Sequence, residues 1–148
     1  MSEPKKYHAL VEDKIFMGGA SDVESMIKNE GIEIVVDLRG EAEQPAFSNP
    51  AVQWLQIALG DNGTDNQEEL FKQAIDEVVK AYKNGKKVAF HCSGGRGRTG
   101  TVAAGTHLTL GLSQSLQEAE EKVKDIRSEI NIKPGQRQVL YKLFSEEK

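Results

Sequence analysis

Residues 87–101 read KVAFHCSGGRGRTGT, and the rest of the chain can be placed around this stretch. It begins with the short apolar run Val88–Phe90, which is typical of a buried strand. Glycines interrupt the pattern, and small residues from Thr101 onward predict the start of a helix. The stretch therefore predicts a strand, a glycine-rich loop and a helix, with Cys92 and Arg98 both on the loop.

This loop has the composition of an anion-binding site. Clustered glycines let successive backbone N–H groups point at one centre, and the following helix adds unpaired N–H groups and the positive end of its dipole. Arg98 adds a planar fork of donors that matches two oxygens of a phosphate. Such surroundings favour the thiolate form of a cysteine, which is the nucleophilic form. The residues themselves thus predict a site that binds an oxyanion and attacks it with Cys92.

The spacing is also specific to a family. His91-Cys92, five residues, then Arg98-Thr99-Gly100 resembles the signature loop of the cysteine-dependent protein tyrosine and dual-specificity phosphatases. The resemblance implies that Cys92 is the nucleophile, that Arg98 binds the phosphoryl group, and that Thr99 donates its hydroxyl to the sulfur when the sulfur leaves. It further implies that His91 supports the loop backbone. The implied phosphate-binding residues are Ser93, Gly94, Gly95, Arg96, Gly97 and Arg98.

A phosphatase of this type also needs an acid that protonates the leaving oxygen. Residues 57–64 read IALGDNGT, which resembles the mobile acid loop of the family, especially in the branch around the cyclin-dependent-kinase-associated phosphatase. The resemblance implies that Asp61 is the general acid and base. Asp65 is the alternative, but Glu68 follows three residues later, so Asp65 is also explained as a helix cap. Asp37, which follows a predicted strand, is expected to be structural.

The rest of the chain alternates between strand and helix patterns, which predicts an α/β fold with a central, mainly parallel sheet of four to five strands flanked by helices. The resemblance implies the dual-specificity type of the protein tyrosine phosphatase fold. The predicted strands are 8–11, 14–19, 32–36, 52–59 and the run before Cys92. The predicted helices are 21–29, 66–83, 101–111, 116–130 and 134–144.

Length and composition limit the class of protein. The chain has 148 residues, which suffices for one domain with a single core, so we expect one phosphatase domain over 1–148. Charged residues make up 28% and hydrophobic residues 38%, as is ordinary for a soluble globular protein. The net charge of −4 argues against general nucleic-acid binding. Without a long apolar run or a signal-peptide core, we expect no membrane insertion and a cytoplasmic location.

The single cysteine excludes an internal disulfide and a cysteine-cluster metal site. We therefore expect no metal and no cofactor. The expected partner is a phosphorylated protein or a small phosphorylated molecule, and the default oligomeric state is a monomer.

Other families also fit parts of the pattern. Residues 95–100 have the glycine spacing of a dinucleotide-binding loop, but only helices are predicted after them, which excludes that fold. A rhodanese-type sulfurtransferase or an arsenate reductase also places one cysteine in an anion-binding loop, yet the rhodanese loops have arginine one residue closer and lack Arg-Thr-Gly. A phosphoprotein-binding module with a dead site is disfavoured because the cysteine, arginine and acid are all present.

The sequence leaves the substrate open among phosphotyrosine, phosphoserine or phosphothreonine, a phosphoinositide and an inositol phosphate. Arg96 bears on this choice, because resembling enzymes that hydrolyse inositol phospholipids carry a basic residue at this place. Gln136 and Gln138 stand where related enzymes place an amide that orients water. Their spacing does not match firmly, so both are expected to be surface helix residues.

Overall fold

The computed structural model describes residues 7–60 and 67–144, and all structural statements below refer to them. The strands are β1 His8–Val11, β2 Ile15–Gly19, β3 Ile34–Arg39, β4 Gln53–Leu59 and β5 Val88–Cys92. The helices are α1 Val23–Glu30, α2 Gln67–Lys83, α3 Gly97–Thr109, α4 Leu116–Ile126 and α5 Pro134–Phe144, and a 3₁₀ turn, Ala20–Asp22, precedes α1. The predicted α/β class is confirmed.

The strands form one five-stranded sheet in the order β1-β2-β5-β3-β4. Only the β1–β2 pair is antiparallel, so the sheet is mainly parallel, as predicted. The carboxyl ends of β2, β5 and β3 therefore lie along one edge, where ligand sites of parallel sheets form. Strand pairing sets Cys92 beside Gly19 and His91 beside Asp37 at that edge.

Both faces of the sheet are covered. Val36 and Phe90 point into the larger core with helices α2 to α5, whereas Val35 and Ala89 point into the smaller core beside α1. Central strand β5 is buried along its whole length for this reason. No helix of the described residues is long and apolar enough to cross a membrane.

The small residues of α3 are explained by close packing. A side chain at Gly105 would overlap Ile75 of α2, and one at Gly100 would lie 2.7 Å from Ile130. Helix α3 can therefore lie deep between α2 and the segment after α4, with its first turn at the carboxyl edge of the sheet.

Three predicted boundaries were wrong. Helix α3 begins at Gly97, so Arg98 occupies its first turn and not the preceding loop. Strand β3 runs from Ile34 to Arg39, which places Asp37 inside the strand. Helix α4 ends at Ile126, and Ile130 reaches the core from the segment beyond it.

Candidate active site

Cys92 ends β5, and its side chain is buried beneath the glycine-rich loop. The backbone N–H of Gly95 donates to its Sγ atom at 3.3 Å. The Thr99 hydroxyl lies 3.1 Å from the same sulfur and 3.3 Å from the carbonyl oxygen of Gly18. A hydroxyl has one proton, so Thr99 can donate to the sulfur or to the carbonyl at any one time. The sulfur thus has donors suited to stabilising negative charge.

The loop requires glycine at Gly95. Its φ is +72°, and a Cβ atom there would lie 2.7 Å from the carbonyl carbon of Gly18 and 2.8 Å from the nitrogen of Gly19. A Cβ at Gly19 would in turn lie 2.9 Å from the oxygen of Ser93. The end of β2 therefore packs directly against the loop. The sequence interpretation missed this role for Gly18 and Gly19. The signal that could have indicated it is a pair of glycines at the end of a predicted strand.

Arg98 is buried in the first turn of α3, with its guanidinium held by two strands. Its Nη1 atom donates to the carbonyl oxygens of Leu38 at 3.3 Å and Leu59 at 2.9 Å. Because β3 and β4 supply these carbonyls, the fold fixes the position of the arginine independently of any ligand.

Glu41, which follows β3, forms a bidentate ion pair with Arg98. Its Oε1 accepts from Nη1 at 2.9 Å, and its Oε2 accepts from Nη2 at 3.2 Å. Oε2 also accepts from the Ser93 hydroxyl at 3.1 Å. The carboxylate thus ties the loop after β3 to both ends of the signature loop. The sequence interpretation assigned no role to Glu41, because residues 41–50 have only the composition of a polar loop.

The backbone on both sides of Glu41 is anchored to β4. Gln56 donates through Nε2 to the carbonyl oxygens of Arg39 and Ala42, each at 2.8 Å. The pairing of Glu41 with Arg98 is therefore supported by the sheet.

The hydrogen bond from Arg98 is the main reason that the pKa of Glu41 is lowered to about 2 from an ordinary value of 4.5. A carboxyl whose pKa is lower in the folded state stabilises the fold above its unfolded pKa, and this contribution is lost as the pH falls through its folded pKa. Glu41→Gln should therefore lower the unfolding free energy at pH 6, and the difference from wild type should shrink between about pH 4.5 and about pH 2. Urea denaturation across this range measures the difference. A difference independent of pH would contradict the ionic pairing.

His91 and Asp37 form the buried support beneath the loop. Burial lowers the pKa of His91, so its imidazole is neutral at neutral pH, and Nδ1 lies 3.0 Å from the Cys92 oxygen. Since a carbonyl only accepts, Nδ1 carries the proton in this contact. Nε2 of His91 lies 3.7 Å from the Asp37 carboxylate. The hydrogen bond from Nδ1 to the Cys92 oxygen places His91 where it can hold the loop backbone, which is the role that the resemblance implies.

Asp37 is bound by structural partners. Arg39 donates to it through Nε and Nη2, each at 2.9 Å, and Trp54 donates through Nε1 at 2.9 Å. Burial raises the pKa of Asp37, but the hydrogen bonds from Arg39 and Trp54 outweigh it, so the net shift is downward. A carboxylate that is held by these donors and whose pKa is lowered is poorly suited to proton transfer. This geometry agrees with the structural role expected for Asp37.

The other predicted site residues lie in different surroundings. Ser93, Gly94 and Arg96 are exposed, whereas Gly95 and Gly97 are buried. Asp61 and the alternative Asp65 lie outside the described residues. Their roles stay predictions.

The expectation for Gln136 was wrong. Gln136 is buried, and its Oε1 accepts from the backbone N–H of Lys133 at 2.9 Å, so it caps the helix to which it belongs. Gln138 is exposed, as expected.

Comparison with known proteins gives a consistent result for the fold. Residues 15–146 match the family model described as dual specificity phosphatase, catalytic domain. The mouse putative dual specificity phosphatase, whose crystal structure contains zinc tungstate, superposes with a TM-score of 0.84 at 19% identity, covering 99% of this chain and 91% of that one. At this identity the superposition shows the shared fold alone.

Two curated relatives are similar in sequence. The putative tyrosine phosphatase 067L of Invertebrate iridescent virus 3 is 31% identical over 101 residues, which cover 64% of this chain and 42% of that protein. The phosphatidylglycerophosphatase and protein-tyrosine phosphatase 1 of Mus musculus is 28% identical over 152 residues, which cover 95% of this chain and 77% of that protein. This chain thus spans less than half of the viral relative. Since the family model matches most of the chain, the protein belongs to the dual specificity phosphatase family.

Proposed function

We propose that the protein is a phosphomonoester hydrolase of the protein tyrosine or dual-specificity phosphatase type, which acts through a phosphocysteine intermediate. The observation that carries this proposal is the environment of the Cys92 sulfur. It accepts a hydrogen bond from the Gly95 N–H and lies within hydrogen-bond distance of the Thr99 hydroxyl, and Arg98 lies in the adjoining first turn of α3. This is a nucleophile at the floor of an anion-binding loop.

The proposed reaction has two displacements. The Cys92 thiolate attacks phosphorus, a sulfur–phosphorus bond forms, and the phosphorus–oxygen bond to the leaving group breaks as Asp61 protonates that oxygen. Water then attacks phosphorus, Asp61 accepts its proton, and the electron pair of the broken sulfur–phosphorus bond returns to Cys92. Loop N–H groups and Arg98 would stabilise the charge on the phosphoryl oxygens in both transition states.

Release of inorganic phosphate from a panel of substrates tests the proposal. The panel contains a phosphotyrosine peptide, phosphoserine and phosphothreonine peptides, phosphatidylglycerophosphate and a multiply phosphorylated inositol. We expect turnover that survives EDTA and is inhibited by vanadate, which adopts the five-coordinate geometry of the phosphoryl transition state. Sulfur transfer from thiosulfate to cyanide, with no phosphate released from any substrate, would support the sulfurtransferase alternative.

Asp61→Asn is expected to lower turnover of a phenyl or alkyl phosphate by about 10²–10⁴-fold, because the leaving oxygen then departs without a proton. An ester whose leaving group is already stable as an anion should lose far less. Comparing kcat for the two ester types separates the acid role from binding. Asp65→Asn is the matched control, and the same leaving-group dependence in Asp65→Asn alone would reassign the acid.

A substrate with a second phosphate is the other candidate, and the position of Arg96 favours it. Arg96 caps α3 at the rim of the loop with its side chain exposed, and no described residue forms a hydrogen bond or ion pair with its guanidinium. The mouse relative is named as a phosphatidylglycerophosphatase as well as a protein-tyrosine phosphatase. An exposed cation beside the reacting phosphate can contact a second anionic group of a lipid or inositol phosphate.

Arg96→Ala should lower kcat/KM for a multiply phosphorylated inositol by about 10-fold, since a charge-assisted hydrogen bond contributes about 1.5–3 kcal/mol. A simple aryl phosphate, which carries no second anion, should be little affected. Lys80→Ala removes an exposed cation from the last turn of α2 and is the control for net charge. Equal losses on both substrates would exclude a role for Arg96 in reading a second phosphate.

A further inference from the structure

Arg127 lies behind the signature loop, on the side away from the solvent. It caps the C-terminus of α4, and its side chain is 4% exposed. Nε donates to the carbonyl oxygen of Gly95 at 2.8 Å, and Nη2 lies 3.5 Å from the carbonyl oxygen of Gly94. Nη1 lies 3.1 Å from Nδ1 of His8, on β1. One buried guanidinium thus joins the loop to two other elements of the fold.

The two carbonyls belong to the peptide groups that carry the N–H groups of Gly95 and Arg96. A trans peptide group is planar, so its C=O and N–H bonds point in opposite directions. The group whose oxygen belongs to Gly94 carries the N–H of Gly95, which donates to Cys92 Sγ at 3.3 Å. The next group, whose oxygen belongs to Gly95, carries the N–H of Arg96. Because Arg127 binds the oxygens from behind, the two N–H groups must face the other way, towards the sulfur and the phosphate site.

The charge of Arg127 acts in the same direction as this geometry. A guanidinium stays protonated in proteins, and a cation at the carbonyl end of a peptide group strengthens the hydrogen bonds that its N–H end donates. His8 is compatible with the cation, because burial and then the positive charge of Arg127 lower the pKa of His8 and keep its imidazole neutral. A neutral imidazole can accept the Nη1–H bond through Nδ1.

We propose that Arg127 is a positioning residue for catalysis, which aims the N–H groups of Gly95 and Arg96 at the Cys92 sulfur and the substrate phosphate by holding the carbonyls of the same two peptide groups. This proposal rests on the proposed phosphatase function. Arg127 acts through the loop and does not itself touch the substrate. It differs in this respect from Arg98, whose predicted role is to bind the phosphoryl group directly.

The same part of the fold also supports the loop through contacts that do not involve the two peptide groups held by Arg127. Asn131 donates through its backbone to the Arg96 oxygen at 3.1 Å, and Ile130 packs against Gly100. A merely structural role for Arg127 would therefore show as lost stability with unchanged anion binding. A positioning role requires that anion binding and turnover fall by more than stability explains.

The experiment compares Arg127→Met with Arg137→Met. Arg137, on α5, forms a bidentate ion pair with Glu120 of α4 through Nε at 2.8 Å and Nη2 at 3.2 Å, so its loss disturbs the same helices without any hydrogen bond to the loop. We expect Arg127→Met to lower kcat by about 10²-fold, the effect of losing one donor to a developing oxyanion. The dissociation constant of tungstate, measured by calorimetry, should rise by about 10-fold or more. Arg137→Met should lower Tm slightly and leave both kcat and the dissociation constant of tungstate unchanged.

Arg127→Lys provides the second measurement. Lysine keeps the charge but has one nitrogen in place of the fork that spans two carbonyls, so kcat and tungstate affinity should fall between those of wild type and Arg127→Met. If Arg127→Met does not fold, Arg127→Lys is compared with Arg137→Lys in the same two assays.

Tungstate affinity and kcat equal to those of the Arg137 control would overturn the positioning role. A wild-type protein that binds tungstate but releases no phosphate would refute the proposed function, while the tungstate comparison would still decide the role of Arg127.

Discussion

Replacement of Cys92 by serine is expected to reduce phosphate release by about 10⁴-fold or more, with little change in the fold. Serine has nearly the same shape, and its oxygen can accept from the Gly95 N–H and the Thr99 hydroxyl as the sulfur does. It lacks the nucleophilicity of a thiolate, because a serine hydroxyl keeps its proton at neutral pH. The variant should therefore bind a phosphate ester without turning it over.

Rapid acid quench with a radiolabelled phosphate ester identifies the reacting atom. In the wild type, the quenched protein should carry the radiolabel. Since the chain contains one cysteine, label that has the chemical stability of a phosphate bound through sulfur belongs to Cys92. Thr99→Val is the matched control, because it keeps the sulfur but loses the hydroxyl 3.1 Å from it. We expect a retained burst of the first product and slower breakdown of the intermediate. Full activity in Cys92→Ser would rule out covalent catalysis at this residue.

The part of the site that could be predicted from the sequence is the part encoded locally. Cys92, Arg98 and Thr99 lie within eight residues, so spacing alone brings their side chains to one strand-to-helix connection. The contact between Thr99 and the sulfur follows directly from that spacing. Strand and helix periodicity similarly sufficed for the fold class, because both cores follow the alternation of apolar residues.

Contacts between distant segments could not be predicted in this way. Glu41 is 57 residues from Arg98, and Arg127 is 32 residues from Gly95. Nothing in the local sequence of either residue distinguishes it from an ordinary charged surface residue. Strand order brings Glu41 next to Ser93 and Arg98. Helix packing brings Arg127 next to the carbonyl oxygens of Gly94 and Gly95.

The errors at single residues have local physical causes. The start of α3 was placed too late because glycines carry no apolar periodicity, so the helix pattern becomes visible only at Thr101. Gln136 was expected on the surface because glutamine usually is, but its side chain accepts the backbone N–H of Lys133, the residue before α5. At Gln136 the need of an unpaired N–H at the helix start for an acceptor decided the structure.

Arg98→Lys is expected to lower kcat/KM by about 10³-fold or more, the scale on which an arginine stabilises phosphoryl-transfer transition states. Lysine keeps the charge but offers a single nitrogen. It cannot reproduce a guanidinium that donates to the carbonyl oxygens of Leu38 and Leu59 and to both carboxylate oxygens of Glu41. Both the orientation of the cation and its bidentate contact with phosphate should be lost.

Arg39→Lys is the matched control for this loss. Arg39 also forms a bidentate pair, through Nε and Nη2 with the buried Asp37 carboxylate, so its replacement removes a comparable ion pair next to the site. We expect a lower Tm for both variants but a large loss of kcat/KM and tungstate affinity for Arg98→Lys alone. Similar kinetic losses in the two variants would mean that the site responds to ion pairs of the sheet edge in general. Arg98 would then have no special role in binding phosphate, and the proposed mechanism would lack its main electrostatic contribution.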